Sequence, residues 1–198
     1  MGCYRCLIPT RNEVLKLKLL KQTRIALPLI LFMLIVALLW RGLSLHPTHV
    51  PSPFINKPAP AFKLHNLFHP KEYVTNHDFI GQVTLLNVWA TWCSACASEH
   101  EFLLHLAKNE HVIIDGLDYK DDVLTAKEML KNSGNPYYVV ALDLVGDVGI
   151  DYGVYGAPET FIIDKKGIIR YKQIGPITPE IWDKELRPLV QQLQSEAP

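Results

Sequence analysis

The sequence has no surplus of charge of either sign, because its 20 basic and 20 acidic residues give a formal net charge of zero. A nucleic-acid-binding protein usually carries a basic excess, so we expect no nucleic-acid partner. Cysteine is scarce, with four residues in two C-x-x-C pairs, Cys3/Cys6 and Cys93/Cys96. This number excludes the distributed disulfide framework that stabilises small secreted folds. A chain of 198 residues is long enough to build a core without one.

One long apolar run stands near the N-terminus. It occupies residues 25–40, lacks charged and polar side chains, and follows a basic stretch. The run approaches the roughly 20 apolar residues that span a bilayer, and basic flanks stay in the cytoplasm. We therefore predict a cytoplasmic tail at 1–24, a transmembrane anchor at 25–40, a proline-rich linker at 41–57 and an outer domain at 58–198. A cleaved signal peptide is the alternative, although no A-x-A pattern follows the run.

The first cysteine pair falls in the predicted cytoplasmic tail. Neither Cys3 nor Cys6 is followed by histidine, so the pair is not a c-type haem attachment site. We interpret the pair as two free thiols on a short tail. Palmitoylation and metal capture are the alternatives.

Beyond the linker, the apolar pattern alternates between strand-like and helix-like segments, and no internal repeat is visible. A β-α-β unit followed by an antiparallel hairpin and a closing helix predicts a mixed sheet with helices on its faces. The pattern predicts strands at 83–89, 111–119, 137–142, 159–163 and 168–172, and helices at 93–108, 122–132, 148–152 and from Thr178 onward.

The second cysteine pair lies where a predicted strand meets a predicted helix. Unpaired backbone N–H groups and the helix dipole favour a thiolate at a helix N-terminus. Cys93 would occupy that position and attack a substrate disulfide, and Cys96 would resolve the mixed disulfide. Trp92 would shield the sulfurs from water on one side. The pair is therefore predicted to be redox-active and to need no cofactor.

Two other interpretations of this pair remain. A permanent disulfide or two inert core thiols would need no chemistry, but so short a loop contributes little entropic stabilisation. A zinc site would use Cys93, Cys96, His100 and His105. Zinc sites usually draw their ligands from two segments, and these four residues lie on one short helix, so we predict no metal.

Three stretches of the sequence carry a resemblance to a known family: LNVWATWC at 86–93, Ser98-Glu99-His100, and GVYGAPETF at 153–161. The chain resembles the thioredoxin superfamily and, more narrowly, the CcmG/DsbE family of membrane-anchored thiol:disulfide interchange proteins of cytochrome c biogenesis. The resemblance covers roughly residues 55–190. It implies a thioredoxin-like α/β fold, a mixed central sheet with flanking helices, preceded by one N-terminal transmembrane helix.

The resemblance also implies a function. Members of this family are reductases of the bacterial periplasm, held at the inner membrane by a single pass. A membrane electron donor of the DsbD or CcdA type keeps them reduced. They pass electrons to the haem-binding CxxC motif of apocytochrome c, directly or through a CcmH-type thiol protein, because haem is attached only to free thiols.

By the same resemblance, Cys93 and Cys96 are the redox-active pair. Pro158 is the cis-proline that faces the disulfide and leaves the Ala157 backbone free to pair with an incoming strand. An ordinary trans proline is the alternative. Glu99 corresponds to the family's active-site acid, three residues after Cys96 on the same helical face. A carboxylate there raises thiol pKa values and relays protons, whereas the alternative is a solvated helix residue.

Four further positions accompany this assignment. Glu159 either lines the same groove or caps a strand, and His100 is interpreted as structural or solvent-facing. Ser94 stands where the family commonly has proline, which restores an N–H donor near the first sulfur. Asn87 stands where ordinary thioredoxins carry a buried aspartate, which agrees with the narrower family and leaves Glu99 as the candidate acid.

Two other functions remain open at this stage. The same motif serves periplasmic oxidases and isomerases, and the direction of electron flow depends on the reduction potential. A non-catalytic apocytochrome-binding module, in which the thiols are incidental, is the second alternative.

Overall fold

The computed structural model describes residues 27–42 and 54–197. Residues 27–42 form helix α1, which includes most of the predicted anchor. Within the described residues, no helix combines the length and the apolar character that crossing a membrane requires. The predicted tail at 1–24, with both of its cysteines, and residues 43–53 of the predicted linker lie outside the described residues.

In residues 54–197, a mixed sheet of five strands forms the centre of the domain, in the order β5-β4-β3-β6-β7. β3 runs parallel to β4 and antiparallel to β6, β4 is parallel to β5, and β6 is antiparallel to β7. All six residues of β3 are buried, as expected for a central strand that is covered on both faces. The strands are β3 Thr84–Trp89, β4 Ile113–Tyr119, β5 Val140–Asp143, β6 Glu159–Ile163 and β7 Ile169–Ile174.

Two helices whose starts were predicted begin at side chains that satisfy one of their first backbone N–H groups. Asp122 accepts a hydrogen bond from the Thr125 amide at 2.9 Å, and Thr178 accepts one from the Ile181 amide, with Pro179 in the first turn. Both predicted helix starts are therefore confirmed. The helices are α2 Ser94–Asn109, α3 Val123–Ser133, α4 Asp147–Asp151, α5 Pro179–Ile181 and α6 Arg187–Ser195, with a π-helical segment at Trp182–Leu186 between the last two.

A small hairpin that the pattern did not predict precedes the sheet. It pairs β1, Lys63–His65, with β2, Tyr73–Thr75, and a 3-10 turn at Asn76–Phe79 follows. The Leu67 amide donates a hydrogen bond to the Val140 carbonyl at 2.9 Å, so the chain after β1 reaches the edge of β5. Strands of three residues carry too few alternating positions for a pattern to detect.

Residues 54–57, at the end of the predicted linker, are hydrogen-bonded to the fold. The Asn56 amide donates to the Ile169 carbonyl at 2.7 Å, and the Ile169 amide donates to the Lys57 carbonyl at 2.9 Å. β7 is an edge strand whose outward backbone groups need partners, and this segment supplies them. The end of the predicted linker therefore belongs to the fold.

The two faces of the sheet bury separate apolar clusters. One cluster joins β3 and β4 to α2, α3 and the C-terminal helices, and it includes Leu103, Leu130 and Trp182. The other joins the opposite face to α4 and to the region before β3, and it includes Phe79 and Tyr152. Both cysteines of the second pair belong to the first cluster.

The strand predicted at 137–142 begins later, at Val140, because Tyr137 turns into the core. Its ring stacks on Trp89 with 5.4 Å between centroids, and its hydroxyl donates to the Asn87 side chain at 2.9 Å. The strand predicted at 111–119 begins at Ile113, after His111 adopts a positive φ of 55°. Such a residue cannot continue a strand.

Gly116 is required by this packing. A Cβ at this position would lie 2.9 Å from Trp89 Nε1 and 3.0 Å from Tyr137 Cγ. We expect Gly116→Ala to lower the free energy of unfolding by about 1–3 kcal/mol, the usual cost of overpacking a core. Urea denaturation measures the change. Gly156→Ala is the control, since its Cβ would have no neighbour within 4 Å; equal stability of the two variants would contradict this account.

Candidate active site

Cys93 and Cys96 form a disulfide at the N-terminus of α2, with 5.3 Å between their Cα atoms. Cys93 is the N-cap residue, and its sulfur accepts a hydrogen bond from the Cys96 amide at 3.0 Å. Each cysteine is 6% exposed, so exposure does not distinguish them. The cap position does, because the amide that reaches the Cys93 sulfur would stabilise its thiolate in the reduced form.

The loop between β4 and α3 holds the two residues that precede Cys93. Asp121 accepts hydrogen bonds from the Thr91 amide and, at 2.7 Å, from the Thr91 hydroxyl. The Trp92 indole donates to the Lys120 carbonyl at 3.1 Å. Trp92 is 57% exposed, so its ring is held against this loop and remains largely open to solvent.

Pro158 begins the chain segment that lies beside the sulfurs. The Ala157–Pro158 peptide bond is cis, as the resemblance implied. Glu159 starts β6 and pairs with Val88 of β3, which places Pro158 next to the end of the strand that leads to Cys93. A shallow, largely apolar groove runs here, lined by Ala95, Tyr155, Gly156, Ala157, Pro158, Glu159, Ile174, Gly175 and Pro176.

Glu99 is buried rather than solvated, with 2% of its surface exposed. Its carboxylate accepts hydrogen bonds from the Asn87 side chain at 2.9 Å and from the Ile177 amide at 2.6 Å. Burial raises the pKa of Glu99 to about 7, and these two hydrogen bonds oppose the shift. The carboxyl group can therefore hold or release a proton near neutral pH.

Asn87 connects Glu99 to two other buried side chains. Its amide also donates to the Thr160 hydroxyl at 3.0 Å, and its carbonyl accepts from the Tyr137 hydroxyl at 2.9 Å. Burial, followed by the charges of Glu99 and Asp118, raises the pKa of Tyr137 well above its usual value. The tyrosine therefore stays a neutral donor, and the network fixes the orientation of the Asn87 amide.

The carboxylate of Glu159 turns away from the groove and into the fold. Its side chain forms a buried ion pair with Lys172 at 2.9 Å and accepts a hydrogen bond from the Tyr155 amide at 3.0 Å. Lys172 also donates to the Gly153 carbonyl at 2.7 Å. Through these contacts to Gly153 and Tyr155, the ion pair holds the loop that precedes Pro158.

The histidines of the zinc alternative do not converge on the sulfurs. His100 contacts the Gly134 carbonyl at 3.0 Å through Nε2, which agrees with a structural role. His105 contacts Asn109 at 2.8 Å on the outer surface of α2. Among the residues that the structure describes, no cluster of three or more His, Cys, Asp or Glu side chains could hold a metal ion.

A C-x-x-C disulfide at a helix N-terminus, a buried acid one turn further along that helix and a cis-proline before the neighbouring strand together define a thiol:disulfide oxidoreductase with a thioredoxin-like fold. The sequence matches the Redoxin family over residues 55–190. It is 45% identical to the thiol:disulfide interchange protein DsbE of Allochromatium vinosum, over 88% of this chain and 97% of that protein.

Two further comparisons agree with this class. DsbE of Escherichia coli K12 is 41% identical, over 90% of this chain and 99% of that protein. The crystal structure of a DsbF homologue from Corynebacterium diphtheriae shares the fold, with a TM-score of 0.59 at 20% identity, over 75% of this chain and 98% of that one. The chain belongs to the DsbE (CcmG) family of thiol:disulfide interchange proteins.

Sequence reasoning missed three partners of the site: Ile177, Lys172 and Asp121. The Ile177 amide binds Glu99 across 78 positions of the chain, and Lys172 pairs with Glu159 from the neighbouring strand. Neither contact follows a local pattern. The available signal for Asp121 was its position just after the carboxyl end of a parallel strand, where sites in such sheets often form.

The raised pKa of Glu99 predicts how stability depends on pH. In the folded state the Glu99 carboxyl keeps its proton up to about pH 7, whereas in the unfolded state it loses the proton near pH 4.5. The free energy of unfolding therefore falls as the pH rises between these two values. We expect Glu99→Gln to remove this contribution. Its free energy of unfolding relative to the unaltered protein should rise by about 2–3 kcal/mol between pH 5 and pH 8.

Urea denaturation at several pH values measures this difference. Glu180→Gln is the control, because Lys184 lowers the pKa of this surface carboxyl and its removal acts in the opposite direction. A difference between Glu99→Gln and the unaltered protein that stays constant with pH would show that Glu99 is not a proton-holding acid.

Proposed function

We propose that this protein is a periplasmic reductase that opens the disulfide of the haem-binding CxxC motif of apocytochrome c, directly or through a CcmH-type thiol protein. The observation that carries the proposal is the open apolar groove that is lined by Ala95, a residue between the two cysteines, and by the Ala157–Pro158 segment. The resemblance of GVYGAPETF to the family that serves cytochrome c biogenesis supports this choice of substrate.

The groove suits an extended polypeptide. The hydrogen-bonding ladder of β6 ends where the Gly175 amide donates to the Pro158 carbonyl at 3.0 Å, and Ala157 lies beyond that bond. A Cβ at Gly156 or at Gly175 would meet nothing within 4 Å, so a second backbone has room to approach here. An incoming strand could pair with Ala157 and place its own disulfide beside Cys93.

The exchange then follows the order of the two sulfurs. The Cys93 thiolate attacks one sulfur of the substrate disulfide, forms a mixed disulfide and releases the other substrate sulfur as a thiolate. Cys96 loses its proton and attacks the Cys93 sulfur, which releases the second substrate thiolate and leaves the Cys93–Cys96 disulfide. Glu99, one turn after Cys96 on α2 and with a pKa of about 7, is the group that we assign to accept that proton.

The reaction consumes two electrons per substrate disulfide, so the pair must be reduced again. We assign this step to a membrane electron donor of the DsbD or CcdA type. The basic residues 1–24 and the apolar residues 25–40 support a single-pass inner-membrane anchor with a cytoplasmic N-terminus. In that arrangement the thioredoxin-like domain operates in the periplasm.

Trapping tests the substrate directly. In Cys96→Ala the resolving sulfur is missing, so we expect a stable mixed disulfide between Cys93 and a cysteine of an apocytochrome or of a CcmH-type protein. Mass spectrometry of the linked peptides identifies the partner. Cys93→Ala is the control and should trap far less, since it lacks the attacking sulfur. The membrane electron donor also exchanges with Cys93 and is expected among the trapped proteins. If every other trapped partner lacked both a CxxCH motif and a CcmH-type thiol, the proposed substrate would be overturned.

A further inference from the structure

A second buried acid, Asp118, lies beneath the active-site turn and has no part in the mechanism above. It is fully buried at the carboxyl end of β4, where it pairs with Trp89 of β3. No hydrogen-bond donor among residues 27–42 and 54–197 reaches either of its carboxyl oxygens. The side chain within hydrogen-bonding reach is another carboxyl group, that of Asp121.

Two carboxylates cannot bind one another unless one of them carries a proton. Asp121 already accepts hydrogen bonds from the Thr91 amide, the Thr91 hydroxyl and the Asp122 amide. The shared proton therefore resides on Asp118, which then donates to Asp121. Burial, followed by the negative charges of Asp121 and Asp122, raises the pKa of Asp118 to about 8.

The charges that act most strongly on Asp118 are negative. Asp121 and Asp122 face it from the loop after β4, and Tyr137 faces it from the segment before β5. The charge of Glu99, on α2, also acts on Tyr137. The neutral acid is thus the form that fits the site.

The loop that Asp118 contacts is the one that positions the redox pair. Asp121 binds Thr91 twice, and the Lys120 carbonyl binds the Trp92 indole, so this loop anchors both residues before Cys93. We propose that Asp118 is a positioning residue: as a neutral acid it donates its proton to Asp121 and keeps the 120–122 loop bound to the turn that presents Cys93. The inference rests on the redox role proposed for Cys93.

Loss of the proton would reverse this effect. An anionic Asp118 would face the Asp121 carboxylate with no donor between them, and the repulsion would loosen the bonds from Asp121 to Thr91. Exchange at Cys93 should then slow in alkaline solution, because small displacements of a reacting group cost rate steeply.

The backbone amide proton of Thr91 reports directly on its hydrogen bond to Asp121. NMR can follow this proton in the oxidised full-length protein between about pH 6 and about pH 10. We expect its chemical shift to change in one step near pH 8 in the unaltered protein. In Asp118→Asn the step should be absent, since the Asn amide donates to Asp121 at every pH.

Asp115→Asn is the matched control. Asp115 is a buried acid of the same strand, and burial raises its pKa to about 7. Its side chain lies on the opposite face of the sheet from that of Asp118 and contacts the Val139 backbone. This variant should keep the step at Thr91. A step that persists in Asp118→Asn, or that Asp115→Asn abolishes, would overturn the inference.

Asp121→Asn provides a second variant in case Asp118→Asn does not fold. It removes the largest facing charge, so any pH step that Asp118 produces at neighbouring amides should move to lower pH. An unmoved step would count against the carboxyl pair.

The rate of exchange supplies a functional readout. The measurement is the rate at which reduced Cys93 reacts with a small disulfide, divided by the fraction of Cys93 that is thiolate. In the unaltered protein we expect this corrected rate to fall about threefold or more between pH 7 and pH 9. In Asp118→Asn it should stay constant. Equal falls in both would contradict the positioning role. Neither readout depends on the client, so failure of the apocytochrome assignment would leave these results unchanged.

Discussion

The antiparallel pairing of β3 with β6 is the constraint on which the site depends. It sets Val88 opposite Glu159 and Asn87 opposite Thr160, so the strand that leads to Cys93 lies beside the strand that follows Pro158. One register therefore brings together the sulfur pair, the cis-proline and the buried amide that binds Glu99. A slip of one residue would turn each of these side chains to the opposite face of the sheet and take the site apart.

Burial of carboxyl groups is the second theme of the site. The charges of Glu99 and Asp118 both act on Tyr137, and desolvation raises the pKa of Glu99 to about 7 and that of Asp118 to about 8. Thiol:disulfide exchange moves protons as well as electrons, so acids that titrate near neutral pH are suited to this site. We assign the proton of Cys96 to Glu99, and we propose that Asp118 acts through the loop that holds Thr91.

Much of this arrangement could be predicted from the sequence, because its parts carry local signals. The strand-to-helix junction predicted that the cysteine pair lies at a helix N-terminus, and the motif around Pro158 predicted the cis-proline. Contacts between distant segments carry no such signal. The amide of Ile177 that binds Glu99 and the burial of Lys172 against Glu159 became visible only in the folded chain.

The central claim is that the Cys93/Cys96 pair donates electrons to a substrate disulfide rather than withdrawing them. The reduction potential of the pair, measured by equilibration with a thiol buffer of known ratio, tests this claim most directly. We predict a value below about −200 mV, in the range of glutaredoxins and thioredoxin. A value near about −120 mV, that of the strong oxidant DsbA, would contradict the account, because such a pair would oxidise the thiols it is proposed to release.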